Sequence, residues 1–279
     1  MRYIIGVGAQ KAGTTWLADY FRQHPQVHVP IIKEVHFFDT VYRPDLCAGF
    51  EHGFLQRYQQ QAQMLKPYDI RHHTEQLQRQ DELLARLRMG HDMERYRAFF
   101  SDRMQPGEIM ACDITPAYAL LDEPGFQAMA RLSPDLRIIF LLRNPVDRFW
   151  SALRMWGGQR PNMDIDTALE QELRNPQHQL RGDYPRTLAL LRQHFPEEQI
   201  HVEFFEALFT PESIQRICTF CGIDYLPPAT DKIIGEGKPY PLAPEQRQRI
   251  RDHLRPIYGW AETNFGQRLP ARWRQDMED

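Results

Sequence analysis

An α/β fold, three layers deep around a central and mostly parallel sheet, is what this sequence predicts. Three observations carry that prediction. Short apolar runs (IIGV, RIIFLL) alternate with amphipathic helical stretches, the pattern that builds parallel sheets. The first such run leads through GVGAQKAGTTW into a helix, a P-loop-like turn where backbone N–H groups and a helix N-terminus can meet an anion. The chain has 279 residues, 42% of them hydrophobic and 25% charged, so one domain spanning 1–279 has a sizeable core to bury.

Taken in order, a buried strand is expected at 4–7. From Thr14 the apolar residues Trp16, Leu17, Tyr20 and Phe21 recur at helical spacing until Pro25 stops the helix. A short strand at 27–29 precedes Pro30. Residues 43–104 are rich in Gln, Arg, His and Glu and read as a polar helical insertion, with helices near 54–64, 74–87 and 93–100. Leu77, Leu83, Leu84 and Leu87 give the middle helix an apolar stripe. EIMACD marks a strand at 108–113, and a helix runs through 128–132. The clearest central strand is 137–142, and Pro145 then opens a helix at 146–156. Helices at 166–174 and 184–194, a strand at 199–203 and a helix at 211–221 follow. A Pro/Gly-rich loop at 227–244 and a polar helix at 245–254 close the chain.

The totals also exclude. A formal charge of −3 argues against a general nucleic-acid binder. No run approaches the roughly 18 apolar residues of a membrane span, and the first residues enter a strand at once, so no signal peptide and a cytoplasmic location are expected. Cys47, Cys112, Cys218 and Cys221 are too few and scattered for a disulfide scaffold. Cys218 and Cys221 form a lone CxxC with no second pair, which reads as core packing. His52, His72, His73 and His91 read as surface side chains; the adjacent pair lacks the i, i+4 spacing of helix-borne metal ligands.

In the first turn, Gly13 permits close backbone approach, Thr14 and Thr15 add hydroxyls and Lys11 adds a full charge. A Walker A loop requires GxxxxGK[ST]; here the lysine precedes the glycine by two positions. Downstream, Lys33, Glu34 and His36 stand in a second turn. Glu34 and His36 share one side if that segment is extended, and a carboxylate there is a candidate general base.

QKAGTTWL, then a helix ending in HP, then KEVHFFD, resembles the sulfotransferase family. The likeness is nearest to the branch of heparan sulfate sulfotransferases and their bacterial relatives. RIIFLLRNPVDRFWSAL is similar to the family's second signature, and GKPYP to its third nucleotide-contacting segment. The resemblance runs from residue 3 to about 264 and leaves the insertion uncovered. It implies 3′-phosphoadenosine 5′-phosphosulfate (PAPS) as co-substrate, PAP as product, no metal, and an acceptor hydroxyl or amine on a carbohydrate or natural product. Lys11, Ala12, Gly13, Thr14 and Thr15 are implied to hold the 5′-phosphosulfate, with Trp16 counted among the nucleotide-binding residues. Lys11 neutralises the bridging oxygen as the S–O bond breaks. Arg143 and Ser151 are implied for the 3′-phosphate, and Gly237, Lys238 and Tyr240 close over the nucleotide. Glu34 is the implied base, with His36 orienting the acceptor or taking the proton itself; Lys33 and Asp39 stand to line the acceptor site.

Two features depart from that pattern. Ile114 occupies a position where relatives acting on heparan often carry lysine, which argues against a polyanionic acceptor. The insertion is longer than the family's usual segment and is expected to form a lid or acceptor wall. The alternatives are a P-loop nucleotide kinase or NTPase, which the missing GK[ST] disfavours, and a non-catalytic nucleotide-binding module.

Overall fold

The computed structural model describes residues 1–64, 74–157, 164–228 and 241–278. Its strands are β1 (Arg2–Gly8), β2 (Val27–His28), β3 (Met110–Ile114), β4 (Leu136–Leu142) and β5 (Ile200–Phe204). They form one sheet in the order β2-β3-β1-β4-β5, and every pairing is parallel. The expected strands are all present, with ends displaced by a residue or two. Helices flank the sheet, so the inner strands are apolar on both faces; all five residues of β3 are buried. Gly6 allows β1 and β3 to close, since a Cβ there would stand 2.9 Å from Ile114 Cγ2. Ile114 is thereby a core residue, 3% exposed.

The helices in chain order are α1 (Thr14–Gln23), α2 (Phe37–Tyr42), α3 (Pro44–Cys47), α4 (Gly49–Met64), α5 (Thr74–Met89) and α6 (Met93–Ser101), then α7 (Glu123–Ala130), α8 (Pro145–Gly157), α9 (Ile165–Leu173), α10 (Pro176–Gly182) and α11 (Tyr184–His194). After β5 come α12 (Phe205–Leu208), α13 (Pro211–Cys221), α14 (Pro244–Phe265) and α15 (Ala271–Glu278). Side chains cap many of them: Asp92 begins α6, Asp122 α7, Asp164 α9, Asn175 α10, Asp183 α11 and Thr210 α13. α1 is different. Its N-cap is Gly13, with no side-chain cap.

The described residues within 43–104 are largely helical, and they are not a satellite. α6 sends Tyr96, Phe99 and Phe100 into the main core, where the Tyr96 ring lies 4.7 Å from that of Phe37. The expected leucine stripe of α5 is only partly right. Leu83 is buried but Leu77 is 38% exposed, and the buried face includes Glu82 and Arg86. The last helix was expected to stop at 254, before Pro256; α14 continues through that proline because Ile250, Tyr258, Ala261 and Phe265 bury one face. α15, anchored by the fully buried Trp273, and α10, opened by Asn175 and Pro176, were not expected. α7 starts earlier than expected because Asp122 caps it.

All four cysteines are buried free thiols. Cys218 lies 3.2 Å from the Tyr20 hydroxyl within the core, in keeping with a packing role for the CxxC pair. His52 and His91 are exposed, while His72 and His73 lie outside the described residues. Among the described residues no helix is long and apolar enough to cross a membrane.

Candidate active site

Ligands of open parallel sheets sit beyond the carboxyl ends of the strands, where the strand order reverses. Here that crevice lies over β1, between β3 and β4, and three segments meet there.

The first is the turn after β1. Ala9 N–H donates to Leu141 O at 2.7 Å and Ala12 N–H to Ala9 O at 3.1 Å, folding the turn onto β4. Lys11 has φ 69° and Gly13 φ 87°. A Cβ on Gly13 would stand 2.7 Å from Leu208 Cδ2, so both backbone and packing call for glycine. The first α1 bond runs from Leu17 N–H to Gly13 O at 3.0 Å, leaving the amides of Thr14, Thr15 and Trp16 without helical acceptors. The Trp16 indole is packed between Tyr20 and Phe209, so what Trp16 can offer a ligand is its backbone N–H.

The second is the end of β4. Arg143 Nη1 donates to Lys11 O at 2.9 Å, and its guanidinium lies 4.3 Å above the Phe205 ring. The structure thus joins Arg143 to the first turn. Asn144, fully buried, fixes this strand end: its N–H donates to Glu206 Oε1 (2.8 Å) and its Nδ2 to Asp276 Oδ2 (2.9 Å). Ser151 lies on α8 and is 8% exposed. The segment with Gly237, Lys238 and Tyr240 lies outside the described residues.

The third is the loop between β2 and α2. Lys33 Nζ donates to Thr15 Oγ1 at 2.8 Å and stands 3.8 Å from Glu34 Oε1. Glu34 Oε2 is 3.2 Å from His36 Nε2, and His36 Nδ1 is 2.7 Å from Asp39 Oδ2. Glu34 and His36 meet as expected, although His36 has φ 53° and is not extended. Asp39 is fully buried behind His36; it holds the ring and does not line a cavity, contrary to expectation. Phe50 of α4 stacks on the His36 ring at 3.7 Å. Beside these groups opens a cavity of about 400 Å³, with Lys33, Glu34 and His36 on one side and an α4 face including Gly49, Gly53, Gln56 and Gln60 on the other.

The sequence profile of the Sulfotransferase family matches residues 4–227. The chain belongs to that family. Membership makes it a PAPS-dependent sulfotransferase. No curated protein matches the chain by sequence. Among solved structures it is similar to a sulfotransferase from Alicyclobacillus acidocaldarius, with 23% identity, TM-score 0.67, and 98% of this chain and 99% of that one covered. It is also similar to the sulfotransferase domain of the Synechococcus PCC 7002 olefin synthase, at 16% identity and TM-score 0.50, covering 93% and 94%. These likenesses are to the fold.

The electrostatics of the sulfotransferase separate two halves. Burial, then the charges of Arg143 and Arg154, lower the Lys11 pKa. Burial would raise Glu34, but the hydrogen bond from His36 and the charges of His36, Lys33 and Arg181 outweigh it and hold the carboxyl below its ordinary value. Burial would lower His36; hydrogen bonds and charges from Asp39 and Glu34 outweigh it and raise the imidazole. Sequence reasoning missed Arg181, buried on α10 near Glu34, and the Glu82–Arg86 pair. Charged residues one helical turn apart on the Leu83 side of α5 were the available signal for that pair.

Because the folded pKa of His36 is raised, its stabilising contribution is complete below the ordinary histidine value of about 6.5 and disappears as pH rises through the folded value. The Tm difference between the wild type and His36→Gln should therefore shrink from pH 6 to pH 10. A difference that widens over this range would mean that the buried ring is neutral.

Proposed function

We propose that this protein transfers the sulfonyl group of PAPS to a hydroxyl or amine of a carbohydrate or natural-product acceptor seated in the cavity beside α4, with Glu34 as general base. The observation carrying this reading is the order of the Glu34–His36–Asp39 chain. The Glu34 side chain is 33% exposed, whereas those of His36 and Asp39 are 5% and 0% exposed. Both ring nitrogens of His36 face carboxylates, so the imidazolium has no free position for an acceptor proton. That supports Glu34, and not His36, as the group that meets the acceptor.

The first turn suits the phosphosulfate. Uncapped amides at the start of α1 and a helix dipole favour an anion there, and Ala12, Gly13, Thr14, Thr15 and Trp16 line that start. Lys11 stands to neutralise the charge left on the bridging oxygen. Arg143 and Ser151 are assigned the 3′-phosphate, and Gly237, Lys238 and Tyr240 the far side of the nucleotide. PAPS supplies an activated sulfonyl group. As Glu34 takes the acceptor proton, the acceptor O–S or N–S bond forms, the S–O bond to the 5′-phosphate breaks, and its electron pair stays on PAP. His36 keeps Glu34 oriented and ionised. Lys33, touching both Thr15 and Glu34, stands between donor and acceptor. Sulfonyl transfer carries less charge than phosphoryl transfer, so Lys11 and backbone dipoles can serve where phosphoryl enzymes add Mg²⁺.

Calorimetry with PAP and with Mg-ATP tests the donor assignment. PAP should bind in EDTA; binding of Mg-ATP alone would instead support a kinase or NTPase. Glu34→Gln should keep PAP affinity and lose most transfer in a mass-shift assay with PAPS. Unchanged turnover would falsify the base assignment. Lys11→Ala should raise the transfer barrier by about 3–4 kcal/mol, the scale of losing one charge-stabilising donor, read as kcat at saturating acceptor.

A further inference from the structure

Residues 31–36 have neither helix nor sheet partners, yet they carry the base. Backbone polar groups buried in such a segment require partners from elsewhere, and two charged side chains of α5 supply them. Glu82, 5% exposed, accepts from Ile31 N–H through Oε1 (3.1 Å) and from Ile32 N–H through Oε2 (2.8 Å). Arg86, 1% exposed, donates through Nε to Val35 O (2.5 Å) and through Nη2 to His36 O (2.7 Å) and Thr40 Oγ1 (3.0 Å). The Arg86 guanidinium lies 4.7 Å from the centre of the Phe54 ring of α4.

Glu and Arg at i, i+4 commonly pair with each other on a helix surface. These two do not; both turn inward onto one loop. Desolvating two charges for backbone groups is unfavourable unless their hydrogen bonds are nearly complete, and here they are. The restraint falls on Glu34 from both sides, through Ile32 before it and through Val35 and His36 after it. It also holds His36 in a left-handed conformation, which costs a residue with a side chain about 1–2 kcal/mol.

We propose that Glu82 and Arg86 are positioning residues for the transfer reaction: together they clamp the 31–36 loop and the start of α2 so that Glu34 and His36 face the acceptor cavity. The clamp rests on the reading of Glu34 as base. It gives the inserted helices a task beyond walling the cavity: α5 holds the base while α4 faces the acceptor. Removing either clamp side chain should slow transfer to every acceptor alike, with no mere change of preference.

The test compares Arg86→Met, Arg86→Lys and Glu82→Gln with wild type by hydrogen-exchange mass spectrometry, PAP calorimetry and steady-state kinetics on the whole chain. Exchange should rise in peptides covering 31–40 while the sheet stays protected, and PAP affinity should stay within about twofold. kcat should fall by about 10²-fold, the scale of a misplacement near 1 Å, with KM little changed. Arg86→Lys should recover part of the loss, since lysine keeps the charge but not the fork. If Arg86→Met fails to fold, Glu82→Gln decides the matter, because its amide keeps one acceptor oxygen. Unchanged exchange and kcat in the folded variants would overturn the clamp, as would losses confined to KM or PAP affinity. If Glu34→Gln turns over normally while exchange rises in the clamp variants, the base assignment has failed and the clamp on the loop has not.

Discussion

The sulfotransferase depends on how its irregular backbone is satisfied. Two segments above the sheet lack regular partners, and they are treated in opposite ways. The turn after β1 leaves the amides of Thr14, Thr15 and Trp16 open at an uncapped helix start, which suits the proposed phosphosulfate site. The 31–36 loop is held by protein groups on both flanks. Glu82 and Arg86 take one flank. On the other, Val35 N–H donates to Thr115 Oγ1 (3.0 Å) and Phe37 N–H to Tyr118 OH (3.3 Å). Thr115 and Tyr118 in turn donate to Asp113, at 2.7 and 2.6 Å, and burial raises the pKa of that carboxyl. A donor site must release its ligand, whereas a base must hold its aim. The contrast fits the roles proposed for the two segments.

The donor half is set by charge more than by shape. Burial and the nearby guanidinium groups lower the pKa of Lys11, and burial lowers that of Arg143. An arriving anion relieves both effects, which is the electrostatic form of preorganisation. Arg143 is held by Lys11 O and the Phe205 ring, and the strand end beside it is braced further from beyond the residues that the family profile covers. Asp276 of α15 accepts from Asn144, and Trp273 Nε1 donates to Glu206 at 3.2 Å, the carboxylate that also takes the Asn144 amide. Arg247 of α14 joins Asp147 to Asp276. The C-terminal helices are therefore a brace for the end of β4.

Much of this was legible in the sequence, for identifiable reasons. Parallel strands covered on both faces must be apolar throughout, so RIIFLL and IIGV announce themselves. The first turn reads clearly because its chemistry is local: lysine, glycine and two threonines within a few residues. The same holds for Glu34 and His36. The clamp was not legible, because Glu82 and Arg86 lie some fifty residues from the groups they bind, and charged residues in a polar stretch look solvated. Asp39 was misread for a related reason, since a short acidic side chain near a base can face solvent or stand behind it, and only the turn at His36 decides. The proline at 256 misled through propensity alone; burial of Tyr258, Ala261 and Phe265 outweighed it.

Lys33 shows why the two halves must be built together. A donor carrying several negative charges, brought beside a carboxylate, would raise the pKa of that carboxylate and favour its protonation, which would disarm the proposed base. Lys33 stands between them, 2.8 Å from Thr15 on the donor turn and 3.8 Å from Glu34. His36 stands on the far side of Glu34, and the hydrogen bonds and charges of Asp39 and Glu34 raise its pKa, favouring a second positive charge there. The carboxylate is thus flanked by cations before any donor binds, so it can remain ionised beside an anion and still be exposed enough to meet an acceptor. Under the proposed assignment of Glu34 as base, the buried Asp39 acts through His36: its hydrogen bond and charge favour the charged imidazole, which in turn favours an ionised Glu34.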